Sequence, residues 1–192
     1  MKTLDHEFFT IDKSDETKAL FGGTVAFKRF NTDFLGECGT IPASGVPLNP
    51  CRRLLSNLNE NLKSKITLPE ATTQAQIDYF ANIANGKFWL GLFTKTTADE
   101  CENGHITKIG RCYRLMSDPD SQKHACKEFP PSTITWAPGE PNQCDETYLA
   151  YRPKKDNDGD VGMMDLGSQD EYWKSQIICV YIAPPMADVC PQ

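Results

Sequence analysis

Glutamate, proline and asparagine stand side by side at Glu140-Pro141-Asn142, inside the stretch TITWAPGEPNQCDET that runs from Thr133 to Thr147. A carboxylate and an amide carbonyl in one loop are what a hard cation such as calcium seeks, because it takes six to eight oxygen ligands. Residues two apart on extended backbone aim to the same side, so Glu140 and Asn142 present two oxygens together. Pro141 restricts the backbone between them, and a cis peptide there would turn both side chains toward one point. Asp145 and Glu146 follow within reach of the same loop. A second acidic run, DNDGDVGMMD, covers Asp156–Asp165. Both runs also suit solvated turns, which favour Asp and Asn. Two acid clusters flanking an irregular interval fit a metal that pins the loop. DNDGD is not an EF-hand: its glycine falls at the fourth loop position rather than the sixth, and no glutamate closes the loop at the twelfth.

Regular elements must hold these side chains in place. From Cys51, CRRLLSNLNENLKSKI carries leucines at 54, 55, 58 and 62, close to a helical stripe, and predicts one helix. PEATTQAQIDYFANIANG predicts a second, with Thr72 or Thr73 as N-cap and Gln76 near the reciprocal position. Ile77, Phe80, Ile83 and Ala84 form its apolar face, and Asn85-Gly86 stops it. KFWLGLFTK (Lys87–Lys95) then reads as a buried strand. CENGHITKIGRCYRL carries Asn103-Gly104, a tight-turn dipeptide, between Cys101 and Cys112, which predicts a hairpin. The interval 116–162 is rich in Pro, Gly, Asp, Ser and Asn and is expected to hold little regular structure. A stretch of that length in a compact domain is functional, or pinned by cross-links or metal. YWKSQIICVYIA supplies a final strand. Upstream, residues 1–45 read as an N-terminal extension of unknown role, with GGTVAFKRF (Gly22–Phe30) as a strand after a Gly-Gly turn.

The order two helices, FWLGL, WAPGEPN, Met-Met-Asp and IICVY resembles the C-type lectin family over residues 51–183. That family characteristically shows Trp-Ile-Gly-Leu, a Trp-x-x-Gly-Glu-Pro-Asn loop, a Trp-Asn-Asp strand and a final Ile-Cys-Glu. The resemblance implies an α+β, C-type lectin-like fold: two helices, two small antiparallel sheets and a long irregular loop, stabilised by disulfides. It also implies a calcium ion held by Glu, Asn, Glu, Asn and Asp, with open positions where two neighbouring sugar hydroxyls replace water. In the family, Glu-Pro-Asn accompanies mannose, fucose, glucose or N-acetylglucosamine, and Gln-Pro-Asp accompanies galactose. Carried over, Glu140 and Asn142 match directly, Glu146 takes the place of the next acid with Asp145 as competitor, and Asp165 matches the last residue of Trp-Asn-Asp. These four, Glu140, Asn142, Glu146 and Asp165, are the expected calcium ligands and carbohydrate-binding residues.

The chain departs from the pattern at Met163-Met164-Asp165, where Met164 replaces the Asn ligand with a thioether, a soft partner for a hard cation. Asp158 or Asp160 is a candidate replacement. The two cysteines that bridge the family's long loop are missing, with Tyr148 and Ser168 standing about where they would lie. The resemblance pairs Cys51 with Cys179. Cys101, Cys112, Cys126 and Cys144 remain for bridges in the middle of the domain, and Cys38 and Cys190 for tying the termini. Trp89 and Trp136 fall at family core positions. Trp173 suits either stacking on a sugar face or packing at the edge of the last strand.

The totals bound these expectations. A chain of 192 residues suits one domain of ordinary size, here 46–185, with the extension before it and a tail at 186–192. The formal charge of −6, without a basic stripe, argues against a nucleic-acid partner. Eight cysteines with no Cys-x-x-Cys fit disulfides in an oxidising compartment better than zinc. MKTLDHEFFTIDKSDETK lacks the apolar core of a signal peptide, and no run is long enough to span a membrane; the cysteines and the resemblance still point to a secreted, extracellular protein. Hydrolase, metalloprotease and phosphate-loop motifs are absent from the sequence, and His6, His105 and His124 have no patterned acidic or nucleophilic neighbour, so no enzyme is expected. The expected function is a calcium-dependent lectin module binding glycans or glycoproteins. The alternative is a protein-binding domain on the same scaffold that has lost calcium and sugar.

Overall fold

The computed structural model describes residues 9–30, 49–55, 57–94, 101–106, 112–118, 126–129, 134–144, 146–154, 160–167 and 175–184. It is a mixed α+β protein with two antiparallel sheets, a separate small hairpin and few helices. One sheet has the order β1-β2-β10, formed by Thr10–Asp12 (β1), Thr24–Phe30 (β2) and Ile177–Ala183 (β10). Residues read from sequence as part of an extension therefore belong to the folded body over 10–30, since β2 pairs with β10 along its whole length, from Ile177↔Phe30 to Ala183↔Thr24. A short helix, Asp15–Phe21 (α1), links β1 and β2 and starts on Ser14, whose hydroxyl accepts from the Thr17 N–H.

The first predicted helix is broken into two: Pro50–Leu54 (α2) and Glu60–Lys63 (α3). Asparagine explains the break. The Asn59 side chain accepts from the N–H groups of Asn61 and Leu62, at 2.8 and 3.2 Å, so it opens a new helix instead of continuing the old one. The leucine stripe still marks the inward face, with Leu55 only 2% exposed. The second predicted helix is present as Gln74–Ile83 (α4), capped by the Thr73 hydroxyl on Gln76 N–H at 3.2 Å. The Gln76 amide oxygen reaches back to Thr72 N–H at 2.9 Å, so both threonines take part in the start. Tyr79 on α4 donates to Asp12 at 2.8 Å and fastens the helix to the N-terminal sheet. Burial and that carboxylate push the Tyr79 hydroxyl well above its usual value.

The second sheet has the order β7-β6-β3-β8-β9. Its strands are Phe88–Phe93 (β3), Cys112–Leu115 (β6), Lys127–Glu128 (β7), Tyr148–Arg152 (β8) and Gly162–Leu166 (β9). The hairpin forms at the predicted turn: Cys101–Glu102 (β4) pairs with His105–Ile106 (β5) around Asn103 and Gly104, at φ 53° and 83°. The interval expected to lack regular structure contains β8. This strand lies between β3 and β9 and is buried on both faces, so it lacks the alternation that betrays a half-exposed strand. One apolar cluster gathers Ile77, Phe80, Phe88, Leu149 and Met163, and a second gathers Cys51, Trp89, Tyr148, Met164 and Cys179.

Three disulfides are present among the described residues: Cys51–Cys179, Cys101–Cys144 and Cys112–Cys126, with Cα separations of 5.6, 6.0 and 5.4 Å. The first is the expected helix-to-last-strand bridge, and the other two fix a choice that spacing left open. Cys38 and Cys190 lie outside the described residues. Such cross-links fit an oxidising, extracellular setting. No described helix is long and apolar enough to cross a membrane.

Glu70 joins the segment after α3 to the turn after β6, accepting from Ser117 N–H at 3.0 Å and Ser117 hydroxyl at 2.9 Å. Burial pushes its carboxyl above the ordinary value of 4.5, against the downward pull of those bonds. The folded state thus holds the proton more tightly than the unfolded chain. The resulting stability is full below the unfolded value and is lost as pH rises through the folded one. Glu70→Gln keeps an acceptor for Ser117 and is expected to melt higher than the parent at neutral pH. Thermal melts should show that advantage shrinking toward about pH 4.

Candidate metal centre

The stretch ITWAPGEPNQ (134–143) reaches its position by lying along β9. Met163 N–H donates to Thr135 O at 2.9 Å, and Ala137 N–H donates to Met163 O at 2.9 Å. This close approach depends on Gly162, which sits at φ 142°. A Cβ there would come within 2.7 Å of the Trp136 carbonyl carbon and overlap the Ala137 nitrogen. Gly162→Ala is expected to cost about 2–3 kcal/mol through strain and overlap, read by urea unfolding, because the loop is displaced from β9.

Past Ala137 the chain turns sharply. Pro138 and Gly139 take the two central positions of a turn closed by Glu140 N–H on Ala137 O at 3.0 Å, with Gly139 at φ 83°. That is the type II arrangement, in which proline suits the first central position and glycine the second. The Glu140-Pro141 peptide is cis. Glu140 and Asn142 meet: Asn142 Nδ2 donates to Glu140 Oε1 at 3.1 Å. The Asn142 backbone N–H donates to Asp165 Oδ1 at 3.2 Å, which ties the loop to β9.

Two further anchors complete the frame. Cys144 N–H donates to Gly104 O at 3.2 Å, Gln143 bridges to His105, and the Cys101–Cys144 disulfide joins the same pieces. The β4–β5 hairpin is therefore fastened to the loop just beyond Asn142. Glu146 is placed from the other side, where Thr94 at the end of β3 donates through its hydroxyl to Glu146 O at 3.3 Å and through its N–H to Thr147 O at 2.8 Å.

Ligand oxygens of Glu140, Glu146 and Asp165 lie within 4.8 Å of one another. Asp165 is 1% exposed and Glu146 8%. At an effective dielectric of about 20, two unit charges about 4.8 Å apart repel by roughly 3.5 kcal/mol, so a cation among them turns a costly cluster into a favourable one. Asn142 Oδ1 is also buried and has no hydrogen-bond donor among the described residues; a metal is the kind of partner such an oxygen lacks. All the donors are hard oxygens, which suits calcium, magnesium or manganese over softer metals.

The structure brings together all four residues singled out from sequence: the three carboxylates cluster, and Asn142 joins them through its bonds to Glu140 and Asp165. Asp145, Asp156 and Asp158 lie outside the described residues. Asp160 is exposed and does not belong to the cluster. Met164 is 2% exposed and packs in the core cluster containing Cys51 and Trp89; successive strand residues point to opposite faces, so it turns away from Asp165. Trp89 is buried edge-on to Tyr148 at 6.0 Å, and Trp136 lies edge-on to Phe129 at 6.1 Å. Both pack rather than line the cluster, and Trp173 falls outside the described residues. Sequence reasoning passed over Gly162 and Thr94, the residues that position this site. A glycine opening an otherwise apolar strand was the available signal for the first. Thr94 carried none.

Neither a protein-family model nor a curated protein matches the chain.

Proposed function

We propose that this protein is a calcium-dependent carbohydrate-binding module of the C-type lectin-like kind, acting outside the cell on glycans or glycoproteins. The observation that carries the reading is the convergence of Glu140, Glu146 and Asp165 within 4.8 Å, with the buried Asn142 Oδ1 beside them. Calcium, when bound, supplies coordination positions for a pair of neighbouring sugar hydroxyls. Glu140 and Asn142 then do two jobs each. Their oxygens hold the cation, and the carboxylate as acceptor and the amide as donor hydrogen-bond the same hydroxyls. Glu146 and Asp165, being buried, neutralise charge and fix the depth of the ion. Glu-Pro-Asn order favours mannose, fucose, glucose or N-acetylglucosamine by resemblance to the family.

A second reading keeps the fold and drops the sugar. Met164 packs in the core, so β9 contributes one ligand, Asp165, where the resembled family has two. A protein-binding domain with weak metal affinity would look the same at this position.

Calorimetric titration separates the two. Calcium is titrated into the oxidised, chelator-treated protein, then mannose or fucose with and without calcium. Binding heat for both in the presence of calcium is the expected result; no calcium heat at millimolar concentration would remove the lectin reading. Glu140→Gln together with Asn142→Asp is expected to shift sugar preference toward galactose, and an unchanged preference in the same titration would count against this assignment of the site.

A further inference from the structure

Glu70 plays no part in the reading above and shares no residue with the Glu140 cluster. It lines a cleft of about 470 Å³ whose apolar walls include Phe21, Phe80, Val180 and Ile182. Ile182 is 39% exposed, one of the few large apolar side chains at the surface among the described residues. One carboxylate oxygen of Glu70 is satisfied, since Oε2 takes both Ser117 bonds. The other is held weakly: among the described residues Oε1 has the Thr67 hydroxyl at 3.5 Å, and that hydroxyl has a closer acceptor in Leu68 O at 2.8 Å. Asp118 adds further negative charge nearby. Among the described residues no lysine or arginine forms an ion pair with Glu70, although Lys65 lines the same cleft.

A carboxylate offers only acceptors, so whatever completes Oε1 must bring its own donors. A cation does so best, because pairing offsets the cost of holding a charge away from water. The volume is in the range of small-ligand pockets, more than a bare ammonium fills, and part of the wall is apolar, formed by Phe21, Phe80, Val180 and Ile182. Those conditions describe a long side chain with a methylene stem and a charged end, and the weakly hydrated, forked guanidinium fits a half-buried carboxylate better than an ammonium does.

We propose that this cleft is a docking site for a basic side chain, an arginine or lysine, of a partner polypeptide, its stem lying against Phe21, Phe80 and Ile182 and its head pairing with Glu70 Oε1. A peptide strand running past the exposed Ile182 would insert one such residue, as a knob that sets register on this face.

The test uses the full oxidised chain, isotope-labelled for nuclear magnetic resonance. N-acetyl-arginine-amide is titrated in, with N-acetyl-leucine-amide as the uncharged control of comparable stem. The arginine probe is expected to shift the amides of Glu70, Ser117 and Ile182 with roughly millimolar affinity, and the leucine probe to shift them far less. Glu70→Gln, expected to remain folded, should weaken arginine binding at least about tenfold while calcium binding is unchanged. Equal shifts with both probes, shifts centred on the Glu140 cluster, or undiminished binding by Glu70→Gln would each overturn the proposal. Lys65→Ala should leave binding equal or tighter; a loss there would also overturn it.

Discussion

Asp165→Asn is expected to lower calcium affinity about a hundredfold, roughly 2.7 kcal/mol. The substitution keeps size and an acceptor oxygen, so the Asn142 N–H that now donates to Asp165 Oδ1 at 3.2 Å retains a partner and the loop stays against β9. What disappears is a full negative charge at the least exposed position of the cluster. A neutral amide oxygen is a weaker ligand for a hard divalent cation, and burial leaves little water to compensate. The same change acts in the opposite direction on the metal-free protein. With three carboxylates inside 4.8 Å, removing one relieves repulsion, so the variant in chelator should melt no lower than the parent. The measurement is the difference in melting between chelator and calcium. A ligand present at about a hundred times its dissociation constant stabilises by about 2.7 kcal/mol, so the parent should shift by several degrees and Asp165→Asn by little. Equal shifts for the two proteins would show that Asp165 is not a calcium ligand.

How much of this was legible in the sequence depends on whether a residue carries its role in its own chemistry. Glu140 and Asn142 do: a carboxylate and an amide two apart in a polar loop are ligand candidates on type and spacing alone, whereas Glu146 and Asp165 were singled out through the family resemblance; the structure collects all four. The residues that deliver them do not. Thr94 acts through hydrogen bonds to the backbone around Glu146, a pairing set by strand order between β3 and β8 rather than by local spacing. Gly162 acts by lacking a side chain, and its meaning depends on Trp136 and Ala137 lying against it. Met164 shows the opposite failure. Its type was legible as a missing ligand, but which face of β9 it occupies was not, and the structure places it in the core. The leucines of 51–66 likewise reported an inward face correctly while saying nothing about continuity, which Asn59 decides through its own hydrogen bonds.

The two long-range disulfides are expected to fail in different ways when removed, and the difference tests which of them builds the site. Cys51–Cys179 spans a sequence separation of 128, and the loop-entropy relation assigns such a bridge about 5 kcal/mol. That is comparable to the whole stability of many domains, about 5–15 kcal/mol. Both cysteines are fully buried in the cluster that holds Trp89 and Met164, so Cys51→Ala with Cys179→Ala also loses packing. This variant should unfold at far lower urea than the parent. Its folded fraction should still bind calcium with nearly parental affinity, because no residue of the Glu140 cluster hangs from that bridge. Cys101–Cys144 spans only 43, and Cys101 sits on the peripheral β4–β5 hairpin, so its loss should cost less, at most about 4 kcal/mol by the same relation. Cys144, however, lies two residues past Asn142 and is otherwise held to the hairpin by its N–H on Gly104 O. Cys101→Ala with Cys144→Ala should therefore weaken calcium binding about tenfold even where the protein is fully folded, since a ligand freed to move gives back the ordering that the bridge had supplied. Urea unfolding in chelator and calcium titration in the cold, run on both variants, give the two readouts separately. If the core bridge rather than the hairpin bridge governs calcium affinity, the loop is positioned from β10 and the hairpin's part in building the site is wrong.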